Sequence, residues 1–226
     1  MSYLVLEDLT SRHLALARSA TARSEKDSAE VIAAVVFAAA AFEAFLSSVV
    51  NSAGIHFNEP DHPDLAALTK LAEVIPVLEE VSAQWSIKLQ VITTVLQGAP
   101  LLRGAQPYQD LDLLFRLRNT LLHPKLHWKV EPADDPKSEH NRLVPLLLVR
   151  GAVDEPDPLP PFPPGFGDGR PLMPPPSMSL LQPGVARWAV RVAEDSIDAV
   201  VSMVPSPRHR TLLKESASGT WSADAG

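Results

Sequence analysis

Residues 29–54, AEVIAAVVFAAAAFEAFLSSVVNSAG, contain no proline and no glycine before Gly54, and alanine and large apolar residues dominate the run. Alanine is the strongest helix former, and a helix that is apolar nearly all round has to be covered by other chain segments. This stretch therefore predicts a long central helix around which the rest of the chain packs. Asp27 or Ser28 caps its start, Glu30 sits favourably in its first turn, and Asn51–Gly54 end it after about Val50. The greasiest part, Val31–Phe42, then meets Glu43. It reads as too short and too alanine-rich to span a bilayer, and so as the middle of a soluble core.

Further helices follow from periodicity and punctuation. Residues 8–23 read as a shorter helix. After a polar break at His56–His62, Pro63 opens a helix through Glu80 that Pro76 kinks. Ser86–Gln97 is closed by Gly98 and Pro100, and Pro107 opens an amphipathic helix that reaches Leu122. Pro183 starts a last helix with an apolar stripe at Val185, Trp188, Val192, Ile197 and Val200. Between these, Leu126–Glu131 and Leu143–Arg150 are short β-prone runs flanking the turn-rich ADDPKSEHN, which predicts a β-hairpin. Asp154–Pro176 is proline-dominated and reads as extended, polyproline-like chain; its P-x-x-P match reads as a spacer before it reads as a ligand for an SH3-like partner. From Pro205 the chain reads as a loose, flexible tail. The expectation is one all-α domain spanning 1–226, an antiparallel bundle of four to five helices. Its core is 27–125 plus 183–204, with an insertion at 126–182 holding the small β-hairpin and the proline-rich segment.

The chain has no cysteine, which excludes thiolate metal sites and a cysteine nucleophile and fits a reducing compartment. Its first residues do not resemble a signal peptide, so the expected location is cytoplasmic, with no membrane partner. A net charge of −7 argues against a protein that coats nucleic acid generally. A local basic cluster remains: Arg116, Arg118, His123, Lys125, His127 and Lys129.

That cluster falls on DLDLLFRLRNTLLHPK, residues 110–125. Leu111, Leu114, Phe115, Arg118 and Leu122 follow helical spacing, which puts Arg118 on the apolar stripe of its own helix. A guanidinium there is costly unless paired or facing a cleft. The long helix carries a matching oddity, Glu43, on one face with Val36, Ala39, Leu46 and Val50. The two anomalies together predict Glu43 and Arg118 close to each other across the helix–helix interface and hydrogen-bonded. Alternatively either residue snorkels to the bundle edge. Pro124 pushes His123 out of the α region, so the helix ends there and the imidazole projects from a C-terminus whose dipole favours a cation. Imidazole also changes charge near neutral pH, and Asn119 offers a neutral donor and acceptor beside Arg118.

Arg118-Asn119, three further residues and His123 at a helix end, with the glutamate-bearing helix FAAAAFEAFLSSVVN upstream, resemble the HEPN superfamily (higher eukaryote and prokaryote nucleotide-binding). The resemblance covers residues 27–125 and the closing helix. It implies a four- to five-helix bundle that dimerises, so that two Arg/His motifs form a composite site. The implied activity is metal-independent endoribonuclease cleavage by 2′-hydroxyl attack, in toxin or antiviral defence roles, with no cofactor and no metal. Other members bind RNA, nucleotides or proteins without catalysis. By resemblance His123 is the acid/base, Arg118 the charge stabiliser, Asn119 an orienting group and Glu43 the anchor of Arg118. Arg116, Lys125 and Lys129 would bind the RNA backbone, and RNA, a second copy of the chain and an antitoxin or other protein are the expected partners. Some members carry a tyrosine two residues after the histidine as a modification target; here that position is Lys125, which departs from the pattern. The plain structural alternative is a helix-end salt bridge beside a solvated histidine. A metal-ion enzyme built on buried carboxylates needs more inward Glu or His than Glu43 alone.

Overall fold

The computed structural model describes residues 9–55, 65–123, 139–154, 180–204 and 207–219. Eight helices are present among them: α1 (Leu9–Arg23), α2 (Ala29–Ile55), α3 (Leu65–Glu80), α4 (Trp85–Gln97), α5 (Tyr108–Leu122), α6 (Glu139–Val149), α7 (Pro183–Met203) and α8 (Pro207–Ser218). The fold is all-α, with no strand among the described residues.

The central role expected of the alanine-rich run is what is found. Ala34, Val35, Ala38, Ala39, Ala41, Phe42, Phe45, Leu46 and Val49 are all fully buried, and α2 packs against α1, α3, α4, α5, α7 and α8. Small side chains let neighbouring helix axes come close, while the interleaved Phe and Val supply apolar area. Asp27 caps the start: its carboxylate accepts the Ala29 N–H at 2.9 Å. The end lies further on than expected, because α2 runs through Asn51–Gly54 to Ile55. One glycine costs only about 1 kcal/mol against alanine, too little to stop a long packed helix unaided.

Charged pairs fix the α1–α2 turn. Arg23 and Glu30 form a two-pronged pair at 2.9 and 2.8 Å, which holds the Glu30 carboxyl below its ordinary range through the side-chain hydrogen bond to Arg23, against an opposing effect of desolvation. The α2–α4–α5 junction is aromatic. Trp85 stacks on Phe115 (4.6 Å, 11°), lies 5.4 Å from Tyr108 and meets Phe42 edge-on. Helix α4 ends where expected, on Gly98 in the left-handed region (φ 74°), whose N–H bonds Thr94 O. Helix α7 closes the bundle with Val185, Trp188, Ala189, Val192, Ala193, Ile197 and Val200 buried. Its first turn lies so close to Ala152 that a Cβ on Gly184 would come within 2.5 Å of the Ala152 carbonyl oxygen.

Two expectations are corrected. The second arm of the predicted hairpin is helical: α6 covers Glu139–Val149, including His140 and Asn141 from the supposed turn, while the first arm, 126–131, lies outside the described residues. A short apolar run does not by itself distinguish strand from packed helix. Buried Leu143 and Leu147 have helical spacing, and Arg150 ties the end of α6 to Asp110 in the first turn of α5. Within the tail expected to be loose from Pro205, Pro207–Ser218 forms α8, packed on α1, α2 and α7, with His209, Leu213 and Ala217 buried; residues 205–206 and 220–226 lie outside the described residues. Most of the proline-rich segment, 155–179, lies outside the described residues. On either side of it, the Asp154 N–H bonds Gln182 Oε1 at 2.8 Å.

One helix stretch among the described residues, Ala29–Val49, is long and apolar enough to cross a membrane (mean hydropathy 2.0). The apolar run is thus longer than Val31–Phe42 suggested. In the fold it is the shared inner helix of the bundle.

Candidate functional site

Helix α5 presents its motif much as the spacing predicted. Leu111, Leu114 and Phe115 are buried, Arg118 is half-buried, and Leu122, at the end of the stripe, is exposed. The helix stops at His123, with φ −122° and ψ 62°, and the His123 N–H closes the last turn on Asn119 O at 3.0 Å. Pro124 accounts for this stop.

The predicted meeting of α2 and α5 occurs. Arg118 Nη2 lies 3.9 Å from Glu43 Oε2, with 30% of the arginine side chain and 42% of the glutamate side chain exposed. At that separation the two form an ion pair but not the hydrogen bond that was expected. Arg118 Nε is shielded from solvent and has no hydrogen-bond partner among the described residues. Arginine carries five donors in a planar fork. This one is held in place by charge while donors remain for a further acceptor.

Glu43 also faces a cleft of about 390 Å³ between α1, α2 and the start of α4, lined among others by His13, Ala40, Ser47, Trp85 and Lys88. His13 is half-buried and stacks on Phe37 with ring centroids 6.1 Å apart and planes at 27°. Its Nδ1 is shielded from solvent, with no hydrogen-bond partner among the described residues. Ser47 donates to Glu79 at 2.5 Å, and Lys88 Nζ lies 3.5 Å from the same carboxylate oxygen.

The structure therefore joins Glu43 to Arg118 and leaves the other candidates elsewhere. Asn119 and His123 are exposed at the end of α5, Arg116 is half-buried, and His123 does not line the Glu43 cleft. Lys125 and Lys129 lie outside the described residues. Among the described residues no group of three His, Asp or Glu is arranged to hold a metal ion. His13, Ser47, Glu79 and Lys88 did not emerge from the sequence. For His13 a signal existed: the α1–α2 hairpin pairs 23 with 30, and ten residues back along α1 and ten forward along α2 set 13 opposite 40.

Comparison with known protein families, with curated proteins and with solved structures finds no match.

Proposed function

We propose that this protein is a HEPN-like, metal-independent endoribonuclease that works as a homodimer in the cytoplasm, in a toxin or stress and defence role. The observation that carries this reading is the Glu43–Arg118 pair: a half-shielded guanidinium, fixed across α2–α5, with an unpartnered Nε and on the helix that ends at His123. RNA supplies its own nucleophile, so the protein needs only to move protons and stabilise charge. Arg118 stabilises the charge developing on the phosphorane, and His123 takes or delivers a proton. Asn119 orients the phosphate or His123, and Arg116, Lys125 and Lys129 steer the backbone. The exposure of Asn119, Leu122 and His123 together leaves the end of α5 open to a second copy of the chain.

Full-length protein incubated with matched RNA and DNA oligonucleotides in EDTA tests the proposal. The wild type is expected to cut RNA only, and His123→Ala and Arg118→Ala to lose at least about 100-fold in rate. Absence of cutting, or a requirement for metal, overturns it. A non-catalytic RNA- or protein-binding module is the second reading. The position of His123 outside the Glu43 cleft favours it, and RNA binding by a wild type that never cuts is its signature.

A further inference from the structure

Glu43 faces two ways, toward Arg118 and into the cleft between α1, α2 and the start of α4. The cleft holds about 390 Å³, within the roughly 300–1,000 Å³ of small-molecule pockets. Ala40, Ala44 and Ser47, small residues on one flank of α2, form its floor, and His13 of α1 and Trp85 of α4 flank it. Its charges are already balanced. Glu43 lies 3.9 Å from Arg118, while Glu79 takes Lys88 at 3.5 Å and the Ser47 hydroxyl at 2.5 Å. Each carboxylate there has a cation beside it, so a ligand of either charge meets repulsion along with attraction. A neutral ligand escapes that penalty.

Glu43 nonetheless has acceptor capacity to spare. Arg118 is beyond hydrogen-bonding distance, and no other group among the described residues donates to the carboxylate. An ionised carboxylate sets two acceptor oxygens side by side, and it pairs best with a flat group that presents two parallel N–H donors. The indole of Trp85 lines the same cleft. Phe115 covers one of its faces (4.6 Å, 11°) and Phe42 meets it edge-on, and the ring remains partly exposed. Flat aromatic ligands gain from contact with such a ring. Among the nucleobases only guanine carries two adjacent donors on one edge, its N1–H and its 2-amino group. Adenine and cytosine set an acceptor beside their amino group, and uracil and hypoxanthine offer a single N–H. A guanidinium carries the same donor fork, but its positive charge would stand near Arg118 and Lys88.

We propose that the cleft binds a free guanine nucleoside. The Glu43 carboxylate accepts the N1–H and the 2-amino N–H of the base, and the ring lies along Trp85. Ser47, whose hydroxyl proton goes to Glu79, keeps its lone pairs for a ribose hydroxyl. The ligand touches neither Arg118 nor His123, so the assignment stands whether or not the chain cuts RNA. A strand of RNA brings a negative charge with every nucleotide, and Lys88 in the cleft is already opposed by Glu79. The charge balance therefore favours the free nucleoside over RNA.

Calorimetric titration of the full-length protein with guanosine, inosine and adenosine tests the proposal. Inosine lacks only the 2-amino group. Guanosine is expected to bind at least about tenfold more tightly than inosine, the loss that one hydrogen bond to a charged group carries, and to exceed adenosine by at least the same factor. Glu43→Gln keeps the shape of the side chain and turns one acceptor into a donor. It is expected to weaken guanosine binding at least about tenfold and to bring guanosine and inosine within about threefold of each other. No binding of guanosine, equal binding of the three nucleosides, or unchanged selectivity in Glu43→Gln overturns the proposal. The indole N–H signal of Trp85 in wild-type protein gives a readout that needs no variant. A signal that moves with guanosine supports the site, and one that stays put while heat is released overturns it. Displacement of bound guanosine by guanosine-containing RNA overturns the assignment to a free ligand. RNA cleavage by a protein that ignores guanosine removes this proposal and leaves the nuclease reading standing, while guanosine binding by a protein that never cuts does the reverse.

Discussion

If the Glu43–Arg118 pair exists for a ligand and not for the fold, removing its charge should cost little stability and much activity. The substitution is Glu43→Gln, which keeps shape and removes the carboxylate. Two unit charges about 4 Å apart attract by about 1 kcal/mol in water and about 4 kcal/mol at the effective dielectric near a protein surface. With 30% and 42% of the two side chains exposed, solvent screens much of this, and pairs of that kind contribute about 0–1 kcal/mol. A fully buried pair broken on one side would cost about 3–5 kcal/mol. Urea unfolding of Glu43→Gln should therefore show a loss of no more than about 1 kcal/mol, and the melting temperature should fall by no more than about 2–4 °C. RNA cleavage should fall at least about tenfold, since Arg118 loses the charge that positions it and misplacement by about 1 Å can cost about 100-fold. Affinity for RNA should not weaken, because a negative charge has left the neighbourhood of a polyanion. A stability loss above about 3 kcal/mol with intact specific activity would make the pair a structural tie and refute the reasoning.

Gly184→Ala sets two effects against each other. Alanine favours a helix by about 0.5–1 kcal/mol, but its Cβ would sit 2.5 Å from the Ala152 carbonyl oxygen, backbone that does not yield cheaply. A net loss of about 1–3 kcal/mol is expected in urea titrations, and a stabilised variant would contradict the close approach. Leu213→Ala, at a position 2% exposed on α8, should cost about 2–5 kcal/mol; an unchanged melt would mean that α8 does not cover the bundle. Glu30, whose carboxyl is held below its ordinary range in the fold by its hydrogen bond to Arg23, gives stability that is present above the unfolded value and lost as pH falls through the lower folded one. Wild type and Glu30→Gln should therefore converge in melting temperature under acid, with their difference largest near neutral pH. A difference that persists unchanged far into acid, where carboxylates are protonated, would exclude this linkage.

What was legible in the sequence was what local pattern controls. Proline and glycine marked the starts or ends of α4, α5 and α7 because they restrict the backbone locally, whatever packs around it. The Glu43–Arg118 approach was legible because a charge on an apolar stripe needs a partner, and each stripe carried one. What escaped was set by packing between distant segments. Leu143–Val149 has apolar density suited to either strand or helix, and its contact with α5 through Arg150 and Asp110 is absent from any local window. Pro145 argued against a central strand, and that signal was present in the sequence. The sequence Pro-Ser-Pro-Arg-His-Arg looks polar and loose, yet Leu213 and Ala217, further on, pay for the ordering of α8 against three other helices.

The composition of α2 links the fold to the site. A helix this apolar, with mean hydropathy 2.0 in its greasiest stretch, could have been apolar throughout, and Phe42, Phe45 and Leu46 are all fully buried at this point. A carboxylate between Phe42 and Ala44 adds little to that packing and costs desolvation on whatever side is covered. Its surroundings are shaped for access. Ala40, Ala44 and Ser47 on the same flank are small and only partly covered, and they leave the space that His13, Trp85 and Lys88 enclose. Were Glu43 there only to neutralise Arg118, larger apolar neighbours would shield the pair and strengthen it, since attraction grows as the local dielectric falls. The open flank of small residues does the reverse. It weakens the pair, which is what the nuclease proposal asks of a guanidinium that is to be lent to a phosphate.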